Sequence, residues 1–209
     1  MAILIALGGG SGSGKTSIAR ALVETIGKDA SRFSFDNYYR DQSHLSVEER
    51  SKVNYDSPFT LDTTLFIEHL KRIKEDRVVE VPQYDFVTHT RLPSSIPYHP
   101  TKYVIIDGIL TLYLDEAEDL FDYKIFVKAD SDIRLARRIR RDTLERGRTA
   151  DSVISQYLAT VRPMHLKYVE PSRFVADFVF DNNKETGIDQ ETLDVVKAKI
   201  LRLGKTNEN

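Results

Sequence analysis

Residues 9–16 read Gly-Gly-Ser-Gly-Ser-Gly-Lys-Thr and match the pattern G-x-x-x-x-G-K-[ST] at every position. A short apolar run, Ile3–Leu7, precedes them and a helical pattern follows, which is the context that a phosphate-binding loop, or P-loop, requires. Glycines let the backbone curl so that its N–H groups point inward, and the start of the next helix adds positive potential. The segment therefore predicts a site for the phosphates of a nucleotide.

Two side chains of this P-loop carry the chemistry of phosphate binding. Lys15 is expected to reach the β- and γ-phosphates and to act in catalysis, and the Thr16 hydroxyl is expected to coordinate Mg²⁺. The motif alone does not identify the reaction, because GTPases, ATPases and small-molecule kinases share it. The predicted ATP-binding residues of this segment are Gly9, Gly10, Ser11, Gly12, Ser13, Gly14, Lys15, Thr16 and Ser17.

Short apolar runs alternate along the chain with longer charged segments of helical periodicity. Strands are predicted at Ile3–Leu7, Arg32–Phe35, Tyr103–Ile106, Lys124–Val127 and Phe178–Phe180. Helices are predicted at Lys15–Ile26, Leu61–Lys74, Ser131–Glu145, Ala150–Tyr168 and Ile188–Leu203. Such alternation favours βαβ units. We therefore expect an α/β fold of the P-loop NTPase type, a three-layer sandwich with a mostly parallel sheet, formed by residues 1–209 as a single domain.

Two stretches interrupt this alternation. Residues 40–62 are polar with scattered aromatic residues, and residues 81–101 hold four of the seven prolines. Because proline resists both helix and central strand, the second stretch is predicted to be irregular. Long irregular insertions in a compact domain are usually functional, and plain surface loops are the alternative. Tyr84, Phe86 and His89 favour a small substrate-binding insertion over a solvated loop.

Composition argues against several classes of protein. The chain has 30 basic and 32 acidic residues, and a formal net charge of -2 gives no attraction to nucleic acid or membranes. Without cysteine, neither a disulfide framework nor a thiolate metal site can form. The apolar start lacks the features of a signal peptide, and no run approaches the ~20 apolar residues of a membrane span. We expect a cytoplasmic protein with no nucleic-acid or membrane partner.

Two aspartates follow strand-like runs and so are candidates for the ligand-binding edge of the sheet. Asp107 ends the run Val104–Ile106 and is placed to hold Mg²⁺, directly or through water; the alternative is a turn residue. Asp36 follows Arg32–Phe35 and is the candidate for accepting the proton of an attacking hydroxyl or for helping to place Mg²⁺. For Asp36, the residues alone leave a simple turn-forming role equally open.

Arginines are concentrated in one part of the chain. Seven of them lie between positions 134 and 148, and Arg134, Arg138 and Arg141 share one face of a predicted helix. A basic helix is often only a solvated face, or a nucleic-acid patch. Beside a P-loop, the alternative is a mobile lid at about residues 137–150 that closes over the transferring phosphates. Arginine suits this task because its planar guanidinium group grips phosphate oxygens in pairs.

Several further motifs occur in a fixed order. They read Asp36-Asn37-Tyr38-Tyr39-Arg40, Asn54-Tyr55-Asp56-Ser57-Pro58, Tyr84-Asp85-Phe86-Val87-Thr88-His89-Thr90-Arg91, Arg141-Asp142 with Glu145-Arg146-Gly147-Arg148, and Ser155-Gln156-Tyr157. This set resembles the uridine–cytidine kinases, from the P-loop to about Asp181. The coincidence of several motifs in order and spacing makes the resemblance far more specific than the P-loop alone.

The resemblance implies transfer of the γ-phosphoryl group of ATP·Mg²⁺ to the 5′-hydroxyl of uridine or cytidine. Asp36 would be the catalytic acidic residue that faces this hydroxyl, and Asp56 and Arg138 would hold the ribose hydroxyls. Arg141 and Arg146 would face the ATP phosphates. The residues implied to complete the nucleoside site are Tyr39, Tyr84, Phe86, His89, Arg148 and Gln156. The neutral imidazole of His89 has one donor and one acceptor nitrogen, so it suits both pyrimidine bases.

The resemblance also carries implications that the residues themselves do not show. It implies a homotetramer and inhibition by pyrimidine triphosphates, with ATP as donor and GTP left open. Two departures from relatives stand out: Asp107 replaces a glutamate found in some of them, and Gln83 replaces an apolar residue. Because aspartate has the shorter side chain, it is left open whether Asp107 reaches the metal directly or through water.

Three other functions remain as alternatives. A sibling kinase for phosphoribulose, pantothenate or nicotinamide riboside would share the P-loop, although the aromatic Tyr84–His89 segment favours a planar base. A regulatory GTPase, acting as a binding switch, usually carries N-K-x-D; Asn183-Lys184 is followed by Glu185 and Thr186, without the aspartate. A nucleic-acid-binding ATPase rests only on the arginine cluster.

Overall fold

Five parallel strands form a sheet whose central strand leads directly into the P-loop. The computed structural model describes residues 1–184 and 187–206, without the side chains of Ser51 and Thr206. The strands are β1 (Ile3–Gly8), β2 (Ala30–Ser34), β3 (Val79–Asp85), β4 (Thr90–Tyr98), β5 (Tyr103–Asp107), β6 (Tyr123–Lys128) and β7 (Phe178–Asp181). The order β2-β5-β1-β6-β7 builds the parallel sheet. All five predicted strands are confirmed.

Helices cover both faces of this sheet. They are α1 (Lys15–Ile26), α2 (Val47–Ser51), α3 (Thr63–Lys74), α4 (Ser131–Glu145), α5 (Ala150–Gln156), α6 (Arg162–Met164) and α7 (Gln190–Thr206). Alternate residues of β1 point to opposite faces: Ile5 belongs to the cluster that includes α1 and α7, whereas Leu4 belongs to the cluster that includes α3. Because β1 is buried on both sides, the three-layer α/β sandwich is confirmed.

The periodic helices begin and end close to where their sequences predict. Helices α1 and α4 have the predicted bounds. Helix α3 begins two residues later than predicted, because Asp62 caps it by accepting a hydrogen bond from the N–H of Leu65 at 3.3 Å. Within the described residues, no helix combines the length and hydrophobicity needed to span a lipid bilayer.

The helical segment predicted at Ala150–Tyr168 forms, but it is not a single regular α-helix. Wide π-helical turns occupy Tyr157–Val161 and His165–Val169, on either side of α6, and a 3₁₀ turn covers Pro171–Val175. Pro163 lies inside α6 and has no N–H to donate to the preceding turn, which favours a local change in hydrogen bonding. The helix predicted at Ala150–Tyr168 is therefore confirmed in extent, with two π-helical stretches inside it.

The prediction that residues 81–101 are irregular was wrong. Most of them lie in the antiparallel ribbon of β3 and β4, which has a bulge between Pro82 and Tyr84. Each strand of a two-stranded ribbon has an unpaired side, so a proline without an N–H is tolerated there. Pro82 and Pro97 accordingly lie in the ribbon, opposite Ser95 and Glu80.

This ribbon is attached to the other insertion, residues 40–62. Arg91 of β4 donates hydrogen bonds to the carbonyl oxygens of Tyr38 and Tyr39, at 3.1 and 2.9 Å, and pairs with Asp62 at 3.3 Å. An isolated bridge also joins Tyr39 to Leu61. These contacts place both insertions side by side, next to the carboxyl end of β2.

Aromatic packing beneath the insertions gives a stability prediction. The ring of Phe66 in α3 is fully buried and stacks on Phe35 with 3.9 Å between centroids. We expect Phe66→Ala to lower the free energy of unfolding by about 3–5 kcal/mol, because it removes apolar burial and leaves a cavity. Phe59→Ala, at a side chain that is 83% exposed, is the control and should stay within ~0.5 kcal/mol in the same urea titration. An equal loss of stability in Phe66→Ala and Phe59→Ala would contradict a packing role for Phe66.

Candidate active site

A single cavity of about 890 Å³ at the carboxyl edge of the sheet gathers most of the predicted site residues. The predicted residues on its wall are Ser11, Gly12, Gly14, Lys15, Thr16, Ser17, Asp36, Tyr39, Asp56, Tyr84, Phe86, His89, Asp107, Arg138, Arg141, Arg146, Arg148 and Gln156. Gly9, Gly10 and Ser13 are buried and do not line this wall. The structure thus brings residues from separate segments between positions 11 and 156 to one place.

The backbone of the P-loop has conformations and contacts that require glycine. Gly12 and Gly14 have φ values of 80° and 96°, in the left-handed region. A Cβ atom on Gly12 would lie 2.3 Å from the carbonyl oxygen of Arg134, and one on Gly14 would lie 2.3 Å from Nδ2 of Asn182. No side chain caps α1, so its first N–H groups are left for a ligand.

Lys15 is the first residue of α1 and its ammonium group is buried beside two carboxylates. Nζ donates a hydrogen bond to the carbonyl oxygen of Gly10 at 2.9 Å. Burial lowers the pKa of Lys15 to about 8, an effect that Asp36 and Asp107 partly oppose. A cation that is expensive to bury and lies close to acidic groups is well placed to bind an anionic phosphate.

Asp107 ends β5 and is held by two neighbouring residues. The hydroxyl group of Thr16 donates a hydrogen bond to Oδ2 of Asp107 at 2.8 Å. The guanidinium group of Arg32 binds both carboxylate oxygens, with Nε 2.7 Å from Oδ1 and Nη2 3.0 Å from Oδ2. Ser34 of β2 pairs with Asp107 in the sheet, which places Arg32, two residues earlier, within reach of this carboxylate.

Asp36 lies in the 3₁₀ turn Phe35–Tyr38 that follows β2. Burial and the nearby carboxylate of Asp107 raise the pKa of Asp36, whereas Lys15 opposes this rise. Asp36 thus belongs to a turn and also lines the cavity wall. A carboxylate with a raised pKa beside the P-loop can accept a proton from a bound hydroxyl group.

Aromatic rings cover the side of the cavity formed by the two insertions. The centroids of Tyr39 and Tyr84 are 5.0 Å apart, and Phe86 packs edge-on against Tyr84 at 5.2 Å. His89 stacks on Tyr55 with 5.1 Å between centroids and 13° between planes. Burial, with the charges of two arginines, lowers the pKa of His89, so its imidazole is neutral near pH 7. These walls suit a flat, uncharged ring.

Polar groups lie between the aromatic wall and the P-loop. Burial raises the pKa of Asp56, and the guanidinium group of Arg138 opposes this rise most strongly. Arg138 donates hydrogen bonds to Oγ of Ser11 at 2.9 Å and to Oε1 of Gln156 at 2.8 Å. Gln156 also accepts from Arg148 at 2.6 Å. Arg138, one member of the predicted ribose-binding pair, is therefore tied both to the P-loop and to Gln156 in α5.

The arginine-rich segment separates into different environments. Arg134 is buried behind the P-loop, where its Nε donates to the carbonyl oxygen of Ala129 at 3.0 Å. Arg141 and Arg146 line the cavity, and Arg146 lies over the ring of Phe86 at 4.8 Å. The predicted common face of Arg134, Arg138 and Arg141 thus reaches from beneath the P-loop to the cavity.

A second cavity of about 500 Å³ adjoins the P-loop at Gly14. Arg137, Asn182, Ile188 and Leu193 contribute to its wall. Nδ2 of Asn182 donates to the carbonyl oxygen of Ser13 at 2.7 Å, which links the end of β7 to the P-loop. Sequence analysis did not identify this cavity, because the residues that complete it beside Gly14 and Ser17 come from α1, α4, α7 and the segment between β7 and α7, and these residues share no motif.

The chain matches the model of the phosphoribulokinase/uridine kinase family over residues 4–189. It belongs to this family. A uridine kinase of Alkaliphilus metalliredigens (strain QYMF) is 46% identical over 199 residues, which are 95% of this chain and 94% of that protein. A uridine kinase of Staphylococcus aureus (strain JH9) is 42% identical over 201 residues, which are 96% of each. Family membership makes the protein a kinase with a nucleotide phosphate donor.

Two solved structures of low sequence identity have the same fold as this protein. A possible uridine kinase from Bacillus stearothermophilus aligns with a TM-score of 0.60 and 19% identity, covering 86% of this chain and 89% of that one. Phosphoribulokinase from Rhodobacter spheroides aligns with a TM-score of 0.64 and 14% identity, covering 86% and 70%. These likenesses show the P-loop kinase fold.

Sequence reasoning missed three residues of this kinase that the structure places in or beside the site: Arg32, Tyr55 and Asn182. Arg32 was counted only as the start of a strand, yet it binds Asp107. Tyr55 was part of a motif without a role, yet it stacks on His89. The charge of Arg32 within a predicted strand was the available signal, but the partner of Arg32 depends on strand order.

The pair of Arg32 and Asp107 gives a second stability prediction. The side chain of Asp107 is 3% exposed and that of Arg32 is 29% exposed. We expect Arg32→Leu to lower the free energy of unfolding by about 3 kcal/mol, because it leaves a buried carboxylate without its partner. Arg32→Leu/Asp107→Asn also removes the buried charge and should recover most of this loss in urea unfolding. If the double variant is as unstable as Arg32→Leu, the ion pair with Asp107 is not the way in which Arg32 stabilises the fold.

Proposed function

We propose that this protein transfers the γ-phosphoryl group of ATP·Mg²⁺ to the 5′-hydroxyl of uridine and cytidine, giving UMP and CMP. The observation that carries the proposal is Asp36, which shares one cavity with Lys15 on the phosphate side and with Tyr84 and His89 on the aromatic side. The similarity to two uridine kinases over nearly the whole chain supports it.

On the donor side, the P-loop N–H groups and Lys15 would bind the phosphates, with Arg141 and Arg146 closing from the other side. The second cavity, beside Gly14, would hold the base of the donor. ATP is the donor proposed, and GTP is left as an alternative.

The residues beside Lys15 fit a magnesium ion. Thr16 and Asp107 present hydroxyl and carboxylate oxygens within 2.8 Å of each other, which are the ligands that Mg²⁺ prefers. Asp36 lies on the same cavity wall and is a further candidate. When bound, the ion would neutralise phosphate charge. Because Arg32 occupies both oxygens of Asp107, this carboxylate would act through a water molecule.

On the acceptor side, Tyr39, Tyr84 and Phe86 would enclose the base, and His89 would form a hydrogen bond to its exocyclic group. Asp56 and Arg138 would bind the ribose hydroxyls, with Arg148 and Gln156 completing the site. Asp36 would orient the 5′-hydroxyl and accept its proton, while Lys15 and the arginines hold the transferring charge. A raised pKa makes Asp36 a stronger base than an ordinary carboxylate.

We further propose that residues 1–209 act as a single kinase domain. Residues 40–62 and 81–101 would form the nucleoside site, and residues 137–150 would form the lid. The homotetramer and the inhibition by pyrimidine triphosphates that the resemblance implies remain predictions.

An acceptor screen with ATP·Mg²⁺ tests the proposed function. We expect UMP and CMP to form from uridine and cytidine, and no turnover of phosphoribulose, pantothenate or nicotinamide riboside. The 2′-deoxynucleosides should lose about 10⁴-fold in kcat/KM, because the buried groups that bind the missing hydroxyl are left unpaired. Product identity is read by chromatography. Turnover of a different acceptor in the screen, with none of uridine, would overturn the proposal.

The role of Asp36 is tested by Asp36→Asn. The amide keeps the shape of the side chain but loses its charge and basicity, so kcat should fall at least ~10²-fold. The Kd for uridine, measured by calorimetry, should change far less. Asp29→Asn, at an exposed position before the opposite end of β2, is the control and should retain kcat. Turnover of Asp36→Asn within a few-fold of the parent would remove Asp36 from the catalytic residues.

A further inference from the structure

Asp142, in the last turn of α4, is surrounded by four arginines. Its side chain is fully buried. Oδ1 lies 2.7 Å from Nη2 and 2.8 Å from Nε of Arg141, and 3.6 Å from Nη1 of Arg146. Oδ2 lies 3.5 Å from Nε of Arg138 and 3.7 Å from Nη1 of Arg148. One carboxylate therefore contacts all four of the arginines proposed to bind substrates.

The backbone of Asp142 organises the same segment. Its carbonyl oxygen accepts hydrogen bonds from the N–H groups of Arg146 at 3.3 Å and Arg148 at 3.1 Å. Gly147, between these two residues, has a φ of 64°, which glycine adopts without strain. Both the chain path after α4 and its charged side chains thus depend on one residue.

The two carboxylate oxygens of Asp142 are bonded unequally. Oδ1 is hydrogen-bonded to Arg141, whereas Oδ2 is buried and has no hydrogen-bond partner within the described part of the chain. A buried acceptor without a hydrogen-bond partner is energetically unfavourable. These two guanidinium groups lie only slightly too far away to form hydrogen bonds with this oxygen, so a small movement of Arg138 or Arg148 would supply its partner.

The four arginines divide between the two substrate sites. Arg141 and Arg146 are proposed for the donor phosphates, and Arg138 and Arg148 for the nucleoside. Arg138 and Arg148 also share Oε1 of Gln156, and Arg138 reaches Ser11 of the P-loop. Asp142 is the contact common to both pairs. If Asp142 lost its charge, the four guanidinium groups would repel one another with no negative charge between them.

We propose that Asp142 is a positioning residue that couples the donor and nucleoside sites, so that binding of either substrate strengthens binding of the other. A ligand that draws one pair of arginines inward also moves the carboxylate that holds the other pair. Such coupling is reciprocal, and it typically changes affinity 5- to 150-fold. The inference rests on the proposed function, because uridine and ATP are taken as the two substrates.

Calorimetry on the full chain tests the coupling directly. The Kd for uridine is measured with and without saturating Mg²⁺ and the β,γ-imido analogue of ATP. We expect the parent protein to bind uridine at least about 5-fold tighter when the analogue is bound. Asp142→Asn keeps the shape of the side chain but removes the shared charge, and it should reduce this ratio to less than about 2-fold. Asp132→Asn, an exposed position on the same helix, is the matched control and should retain the full ratio.

Each outcome decides between the two proposals. A parent protein that binds no uridine under either condition overturns the proposed function, whereas uridine binding that is independent of the analogue overturns the coupling alone. Full synergy in Asp142→Asn also overturns the role of Asp142. If Asp142→Asn does not fold, Asp142→Glu replaces it: the charge is kept but shifted by one methylene group, so the ratio should fall part of the way. An unchanged ratio in Asp142→Glu would then overturn the role.

Discussion

Burial of β1 on both faces is the packing constraint on which the rest of the structure depends. Alternate residues of this strand enter two separate apolar clusters, so helices must cover both sides of the sheet. Parallel strands packed in this way end at one common edge. This arrangement brings four parts of the chain to that edge: the P-loop after β1, Asp36 after β2, Asp107 at the end of β5 and Asn182 after β7. The site is thus a consequence of the core.

Several charged side chains are buried at this edge of the sheet, where burial disfavours their charged forms. Burial lowers the pKa of Lys15 and raises the pKa of Asp36, so each of these groups is held in an environment that disfavours its charge. Opposite charges offset part of the cost: Arg32 binds Asp107, and Asp142 lies among four arginines. Phosphate groups of a substrate would complete this balance, which explains how an electrostatically unfavourable cavity serves a phosphoryl-transfer enzyme.

Local sequence predicted the regular elements well and the irregular ones poorly. The P-loop and the bounds of α1 and α4 follow from glycine spacing and helical periodicity, which are local properties. The ribbon of β3 and β4 was missed because proline argues against a strand only where both of its sides are paired, and pairing is not a local property. Amphipathic periodicity predicts that a segment is helical but not which hydrogen-bonding pattern it has, so it did not predict the π-helical turns at Tyr157–Val161 and His165–Val169.

The sequence by itself determined the α/β class, the nucleotide-binding loop and most of the side chains that line the cavity, because motifs and periodicity record short-range requirements of backbone and chemistry. Tertiary structure alone decided which of these side chains meet. The contacts of Arg32 with Asp107 and of Tyr55 with His89 join residues 75 and 34 positions apart. They exist because β2 lies beside β5 and because the ribbon packs on residues 40–62, and strand order and insertion packing are set by the global burial of apolar surface.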